Sequence, residues 1–111
     1  MLRDETCLDD VRNAARRSLS YVEGMTRAEF LADDKTKAAV VRELEIMGEG
    51  ASRVSLAFRD AHPEVPWRLL IQLRNFYIHV YDAIEYGRVW ATLTRRVAEI
   101  QTAISALLPQ E

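Results

Sequence analysis

Eight residues, Arg74-Asn75-Phe76-Tyr77-Ile78-His79-Val80-Tyr81, hold most of the chemistry that this sequence offers. They fall late in an apolar run, where a polar group without a partner is costly to bury. Histidine exchanges a proton near neutral pH. Arginine grips a phosphate through two parallel hydrogen bonds and stabilises charge growing on it. Asparagine can orient either one, and Tyr81 adds a hydroxyl two residues beyond His79. Such groups suffice for metal-free cleavage of RNA, in which a deprotonated 2′-hydroxyl attacks the adjacent phosphorus and the leaving 5′-oxygen is protonated. One histidine is awkward for both proton transfers. Two copies related by a two-fold axis remove the difficulty, so a homodimer is part of the expectation.

The same residues admit a plainer reading. A histidine on a polar seam is often only hydrogen-bonded or solvated. An arginine in an apolar segment is usually half of an ion pair, and Glu43, Glu45 and Glu49 are candidate partners. Tyr77 and Tyr81 are then ordinary bundle aromatics. Other chemistries have less behind them. Cys7 is alone, so neither a disulfide framework nor a cysteine metal site is expected. His62 lies in a proline loop far from His79, which does not make a metal site. The serines lack a nucleophile-elbow context. Gly48-Glu49-Gly50 lacks the spacing and the lysine of a phosphate loop. No metal and no cofactor is expected.

The elements that must carry the octet are helices. Of 111 residues, 49% are apolar and 29% charged, with only four glycines and three prolines, a composition that favours long helices over many short strands. In the first helix, from near Asp4, Leu8, Val11, Ala15, Leu19 and Val22 form one stripe, with acidic residues in its first turns and Gly24 as a stop. Thr26-Arg27-Ala28-Glu29 fits a capping box and predicts a short extra helix near 26–32. Asp33-Asp34 caps a second long helix, in which Val40, Leu44, Met47, Ala51, Val54 and Phe58 keep a bundle rhythm. Gly48 and Gly50 interrupt it, through either a close helix crossing or a bend. Pro63 and Pro66 make a rigid connection, with Pro66 suited to a first helical turn.

The third main helix is expected from Trp67 to Tyr81 and should be the most buried. At about 100° per residue, Arg68, Gln72, Asn75 and His79 lie within about 60° of one another, whereas Arg74 projects roughly 140° from His79. Either the helix distorts near the octet or Arg74 reaches around. Asp82 could cap the last helix, whose stripe is Val89, Leu93, Val97, Ile100, Ile104 and Leu107 and which Pro109 ends. The expected fold is all-α: an up-and-down bundle of four main helices forming one domain over residues 1–111.

Net charge is −2, with 15 basic and 17 acidic residues, so any RNA-binding face must be local. Arg68 and Gln72, on the seam with Asn75, are candidate RNA contacts. The start lacks an apolar signal core and no apolar run approaches about 18 residues, so a cytoplasmic protein with no membrane span is expected.

Arg74-Asn75-x-x-x-His79-x-Tyr81 resembles the Arg-x4-His-x-Tyr signature of HepT-like proteins in the HEPN superfamily. Ile46-Met47-Gly48-Glu49-Gly50-Ala51 is similar to that family's Ile-Gly-Glu-Ala-Ala stretch, with Met47 intervening and Gly50 where alanine is common. Pro66-Trp67 and Val89-Trp90 also fit its layout, and the likeness spans roughly residues 5 to 108. It implies a HEPN-like bundle and a metal-independent endoribonuclease, the toxin of a type VII-like toxin–antitoxin pair, with a composite site at a homodimer interface. It implies that Arg74 and His79 are catalytic and that Asn75 supports them. The implied partner is a minimal nucleotidyltransferase antitoxin, MntA-like, that transfers AMP from ATP onto Tyr81. A phosphate-bearing group there would add bulk and negative charge where an RNA phosphate must sit. The family also contains non-catalytic members, and the alternative is a docking or oligomerisation partner of the nucleotidyltransferase.

Overall fold

The computed structural model describes residues 2–75 and 84–109, all of which are helical, turn or loop. His79, Tyr81 and the expected Asp82 cap lie outside them. The fold is all-α, as the sequence leads one to expect. Helix α1 spans Leu2–Tyr21, with Asp4 and Glu5 in its first turn. Gly24 follows at φ 78°, a left-handed conformation that costs glycine nothing. Thr26 closes a full capping box with Glu29, and α2 (Arg27–Ala32) follows. Asp33 caps α3 (Asp34–Arg53) by accepting from the Thr36 amide.

α1 and α3 run antiparallel and form the main seam of the core. Asp4 meets Ser55, Val11 lies under Gly50, and Arg17 and Tyr21 meet Glu43. Most of the expected stripe residues are buried: Leu8, Val11 and Ala15 on α1 and Val22 just after it, with Leu19 only half-buried, and Val40, Leu44, Met47 and Ala51 on α3 with Val54 at its C-cap. Each glycine of α3 marks a close crossing, on opposite faces of the helix. A β-carbon on Gly50 would lie 2.9 Å from Val11 Cγ2, and one on Gly48 would lie 2.7 Å from the Arg74 amide nitrogen.

The second long helix does not reach Phe58. It ends at Arg53, Val54 turns extended, and a separate α4 (Leu56–Ala61) begins behind Ser55. The cause is Asp4. Its buried carboxylate accepts from the Ser55 amide and hydroxyl, both at 2.8 Å. Ser55 Oγ in turn accepts from the Phe58 amide and caps α4.

The C-terminal helix is composite: α6 (Tyr86–Thr92), a π-helical turn at Leu93–Val97, and α7 (Ala98–Ser105). It packs on α1, and Phe30 of α2 stacks at a tilt on Trp90, 5.2 Å between centroids. Steps of four along Val89, Leu93 and Val97 would drift by about 40° each in an ideal α-helix. The wider i→i+5 turn offsets that drift, and all three are fully buried. Leu107 is only half-buried, and Leu108 takes the expected core place. Among the described residues, no helix is long and apolar enough to cross a membrane.

Candidate nucleic-acid site

Helix α5 spans Trp67–Gln72, with Pro66 at its N-cap. Its start is fixed from behind. The Trp67 indole N–H donates to the His62 carbonyl at 2.9 Å, and Phe58 meets the Trp67 ring edge-on. Trp67, Leu70 and Leu73 are buried, with α5 packed on α3. Arg68, Gln72 and Asn75 are exposed, so the three described members of the expected polar seam do reach solvent. The helix expected to be the most buried, Trp67 to Tyr81, lies only partly within the described residues; among these, α3 buries eight of its residues and packs against α1, α2 and α5.

The expected single helix from Trp67 to Tyr81 is broken. The Leu73 amide bonds back to Leu70 in an i→i+3 turn at 3.0 Å, Leu73 and Arg74 form a turn, and Asn75 is helical again. Gly48 accounts for the position of the break. The chain at Arg74 comes so close to α3 that only a residue without a side chain fits opposite it. A β-carbon there would also lie 3.0 Å from Arg74 Cβ and 3.2 Å from the Ile71 carbonyl oxygen. Of the two ways Arg74 could leave its ideal-helix direction, the described chain shows the distortion.

Of the three acids that might hold Arg74, Glu49 faces it. Nη1 lies 3.6 Å from Glu49 Oε1, and the two side chains are 39% and 48% exposed. That distance is beyond a good hydrogen bond, and exposed pairs of this kind contribute no more than about 1 kcal/mol. Glu43 is committed elsewhere. Its Oε1 accepts from Arg17 Nε at 3.0 Å and its Oε2 from the Tyr21 hydroxyl at 2.8 Å. The carboxylate accepting that bond pushes the Tyr21 pKa up. Glu45 accepts from Arg42 at 3.0 Å. Among the described residues, Arg74 therefore keeps a half-exposed guanidinium with one weak counter-ion, its starting point set by its own backbone rather than by that ion pair.

Arg68, Gln72, Arg74 and Asn75 thus share α5 and the turn that follows it, while His79 and Tyr81 lie outside the described residues. The positioning role of Gly48 escaped the sequence reading, although the glycine itself was a visible anomaly in an otherwise regular stripe.

These features define an all-helical bundle with an arginine presented at a glycine-supported helix break. Residues 11–107 match the family described as Ribonuclease HepT-like. A Thermococcus cleftensis protein named "Probable ribonuclease HepT" is 31% identical over 94 residues, which cover 85% of this chain and 86% of that protein. A Methanocaldococcus jannaschii protein with RNase in its name is 34% identical over 90 residues, 81% of this chain and 74% of its own. Another RNase-named relative, from Caldanaerobacter subterraneus subsp. tengcongensis, is 31% identical over 93 residues, with 84% and 83% covered. No solved structure matches the chain. The chain belongs to the HepT-like ribonuclease family.

Proposed function

We propose that this protein is a metal-independent endoribonuclease, the toxin of a toxin–antitoxin pair, acting as a homodimer whose two octets form one composite site. Arg74 holds the scissile phosphate and offsets the charge that grows on it in the transition state. One His79 takes the proton from the 2′-hydroxyl, and O2′ bonds to phosphorus as the bond to the 5′-oxygen breaks. The partner subunit's His79 supplies the proton that the 5′-oxygen needs. The products are a 2′,3′-cyclic phosphate and a 5′-hydroxyl end, so atoms and protons balance. Asn75 orients these groups, and Arg68 and Gln72 touch RNA beyond the scissile bond. The observation that supports this reading most is the state of Arg74: half-exposed, without a strong counter-ion among the described residues, and 3.6 Å from a glutamate that a phosphate can replace.

Tyr81 is the off-switch in this reading. A minimal nucleotidyltransferase antitoxin transfers AMP from ATP to its hydroxyl, with release of pyrophosphate, and the added phosphate repels RNA.

The purified protein is expected to cleave RNA in EDTA and leave cyclic-phosphate ends, whereas Arg74→Ala and His79→Ala do not. Equal cleavage by all three preparations would mean a contaminating nuclease and reject the proposal. Failure of every version to cleave RNA or slow growth, with normal binding to the nucleotidyltransferase, would make the chain a docking module. For Tyr81, mass spectrometry after incubation with antitoxin and ATP should show one added AMP that Tyr81→Phe lacks.

A further inference from the structure

A groove of about 440 Å³ runs between α4 and α5, beside the residues that lead into Arg74. Leu56, Trp67 and Ile71 give it an apolar side, and Arg59, Asp60, Arg68 and Gln72 give it a polar one. Leu56 is 64% exposed, yet it is no loose end. It opens α4 directly after Ser55, which Asp4 holds and which caps the helix. Trp67 is anchored from behind by its bond to His62. Arg59 spends its Nε on the Val54 carbonyl at 3.2 Å, which leaves its other N–H groups available to a ligand. The apolar side is therefore pre-formed, and the polar side carries two arginines against one aspartate.

We infer that this groove is a nucleotide subsite for single-stranded RNA. One unstacked base lies against Leu56 and Ile71, over the buried Trp67 that floors the groove, and the phosphate beside it rests on Arg68. The strand then continues along α5 to Arg74. Arg68 and Arg74 are six residues apart, along the end of α5 and the turn that follows it, a separation on the order of 10 Å, short enough for one flexible strand to touch both. Unstacked bases held on apolar, aromatic or guanidinium surfaces are the usual way that proteins take up single-stranded RNA. Size argues against a protein occupant. A stable protein interface needs roughly 800 Å² and 20–30 residues per partner, whereas seven residues line this hollow. The inference rests on the ribonuclease reading but can be tested apart from it.

The test uses the full chain carrying His79→Ala, so that RNA survives, and follows binding of short fluorescein-labelled oligo(A) and oligo(U) by anisotropy. Adding Leu56→Glu or Arg68→Ala should weaken binding about tenfold each, the loss expected for one base or phosphate contact. Both sites are exposed, and thermal melts identify any variant that is misfolded; Leu56→Ala replaces Leu56→Glu in that event. Affinities within twofold of the parent in both variants would overturn the groove. Cleavage by the unmutated protein is measured separately. Cleavage with no groove effect rejects the subsite alone. A groove effect without cleavage rejects the nuclease reading and leaves an RNA-binding groove. Unchanged RNA affinity with lost self-association on gel filtration would assign the groove to a second copy of the chain and overturn the inference.

Discussion

Gly48→Ala separates the stability of this fold from the placement of its arginine. Its new β-carbon would lie 2.7 Å from the Arg74 amide nitrogen, 3.0 Å from Arg74 Cβ and 3.2 Å from the Ile71 oxygen. Ordinary carbon contacts lie at about 3.5–4.0 Å, so the end of α5 must move by close to 1 Å. The atoms in the way are backbone and a β-carbon, which no rotamer change can clear. Overpacking of this kind costs about 1–3 kcal/mol. Alanine in place of glycine inside a helix returns about 1 kcal/mol, so the net loss is about 0–2 kcal/mol and the protein is expected to stay folded. On the proposed reading of Arg74, catalysis should suffer more, because a 1 Å displacement of a catalytic group can cost about a hundredfold in rate. Urea denaturation and RNA cleavage, measured on the same preparations, give the two numbers. Gly50→Ala is the control. Its β-carbon meets a Val11 methyl at 2.9 Å on the opposite face of α3, so it should lower stability without changing cleavage per folded molecule. A folded Gly48→Ala protein with unaltered cleavage would refute the argument that this crossing sets Arg74.

Three further outcomes follow from polar contacts. Glu49→Gln removes the weak counter-ion of Arg74 and should tighten RNA binding about two- to fivefold at low salt, a gain that fades as salt screens it; unchanged affinity at low salt would mean that Glu49 does not compete with phosphate. The Ser55 amide, and after it the Ser55 hydroxyl, hold the Asp4 pKa below the usual carboxylate range although burial works the other way. A depressed pKa stabilises the fold above the unfolded value of about 3.9 and loses that contribution as pH falls through the folded value. Asp4→Ala should therefore cost about 1–3 kcal/mol at neutral pH and progressively less below pH ~4; a gap between the melting curves that stays constant with pH would contradict it. Arg17→Ala leaves Glu43, with a side chain only 9% exposed, without its guanidinium and should cost about 1–3 kcal/mol. Changing both residues to apolar ones should recover much of the loss, as equilibrium unfolding of the double variant would show.

What the sequence revealed was what neighbouring residues decide. The Thr26 capping box, the Asp33 cap and the stripes of α1, α3 and the C-terminal helix all follow from spacing along one helix, and the structure has them. What stayed hidden was decided by residues far apart in the chain. The stripe runs through Val54 to Phe58 without a flaw, and only Asp4, 51 residues away from Ser55, breaks it. The break at Leu73–Arg74 depends likewise on Gly48 of another helix. The groove depends on the first of these breaks, since Leu56 and Arg59 face α5 from α4, a helix separate from α3.

The break also bears on the placement of Arg74 within the octet. On an ideal helix Arg74 points roughly 140° away from the seam of Asn75 and His79, so a shared site would need a long detour of its side chain. Ending α5 at Gln72 and turning at Leu73–Arg74 removes the ideal-helix constraint. The contact of the Arg74 amide with Gly48 then fixes where the side chain starts. An arginine placed by its backbone needs no strong ion pair to position it. The molecule sets its strong pair elsewhere, at Arg17, Glu43 and Tyr21 on the seam of α1 and α3. On the proposed reading this division matters for turnover. A guanidinium locked as Arg17 is would have to give up those bonds each time a phosphate arrived, whereas exchanging Glu49 for phosphate forfeits less than about 1 kcal/mol. A variant that strengthens the Glu49 pair should therefore weaken RNA binding without altering the fold. Glu49→Asp, with its shorter reach, should move affinity in the opposite direction.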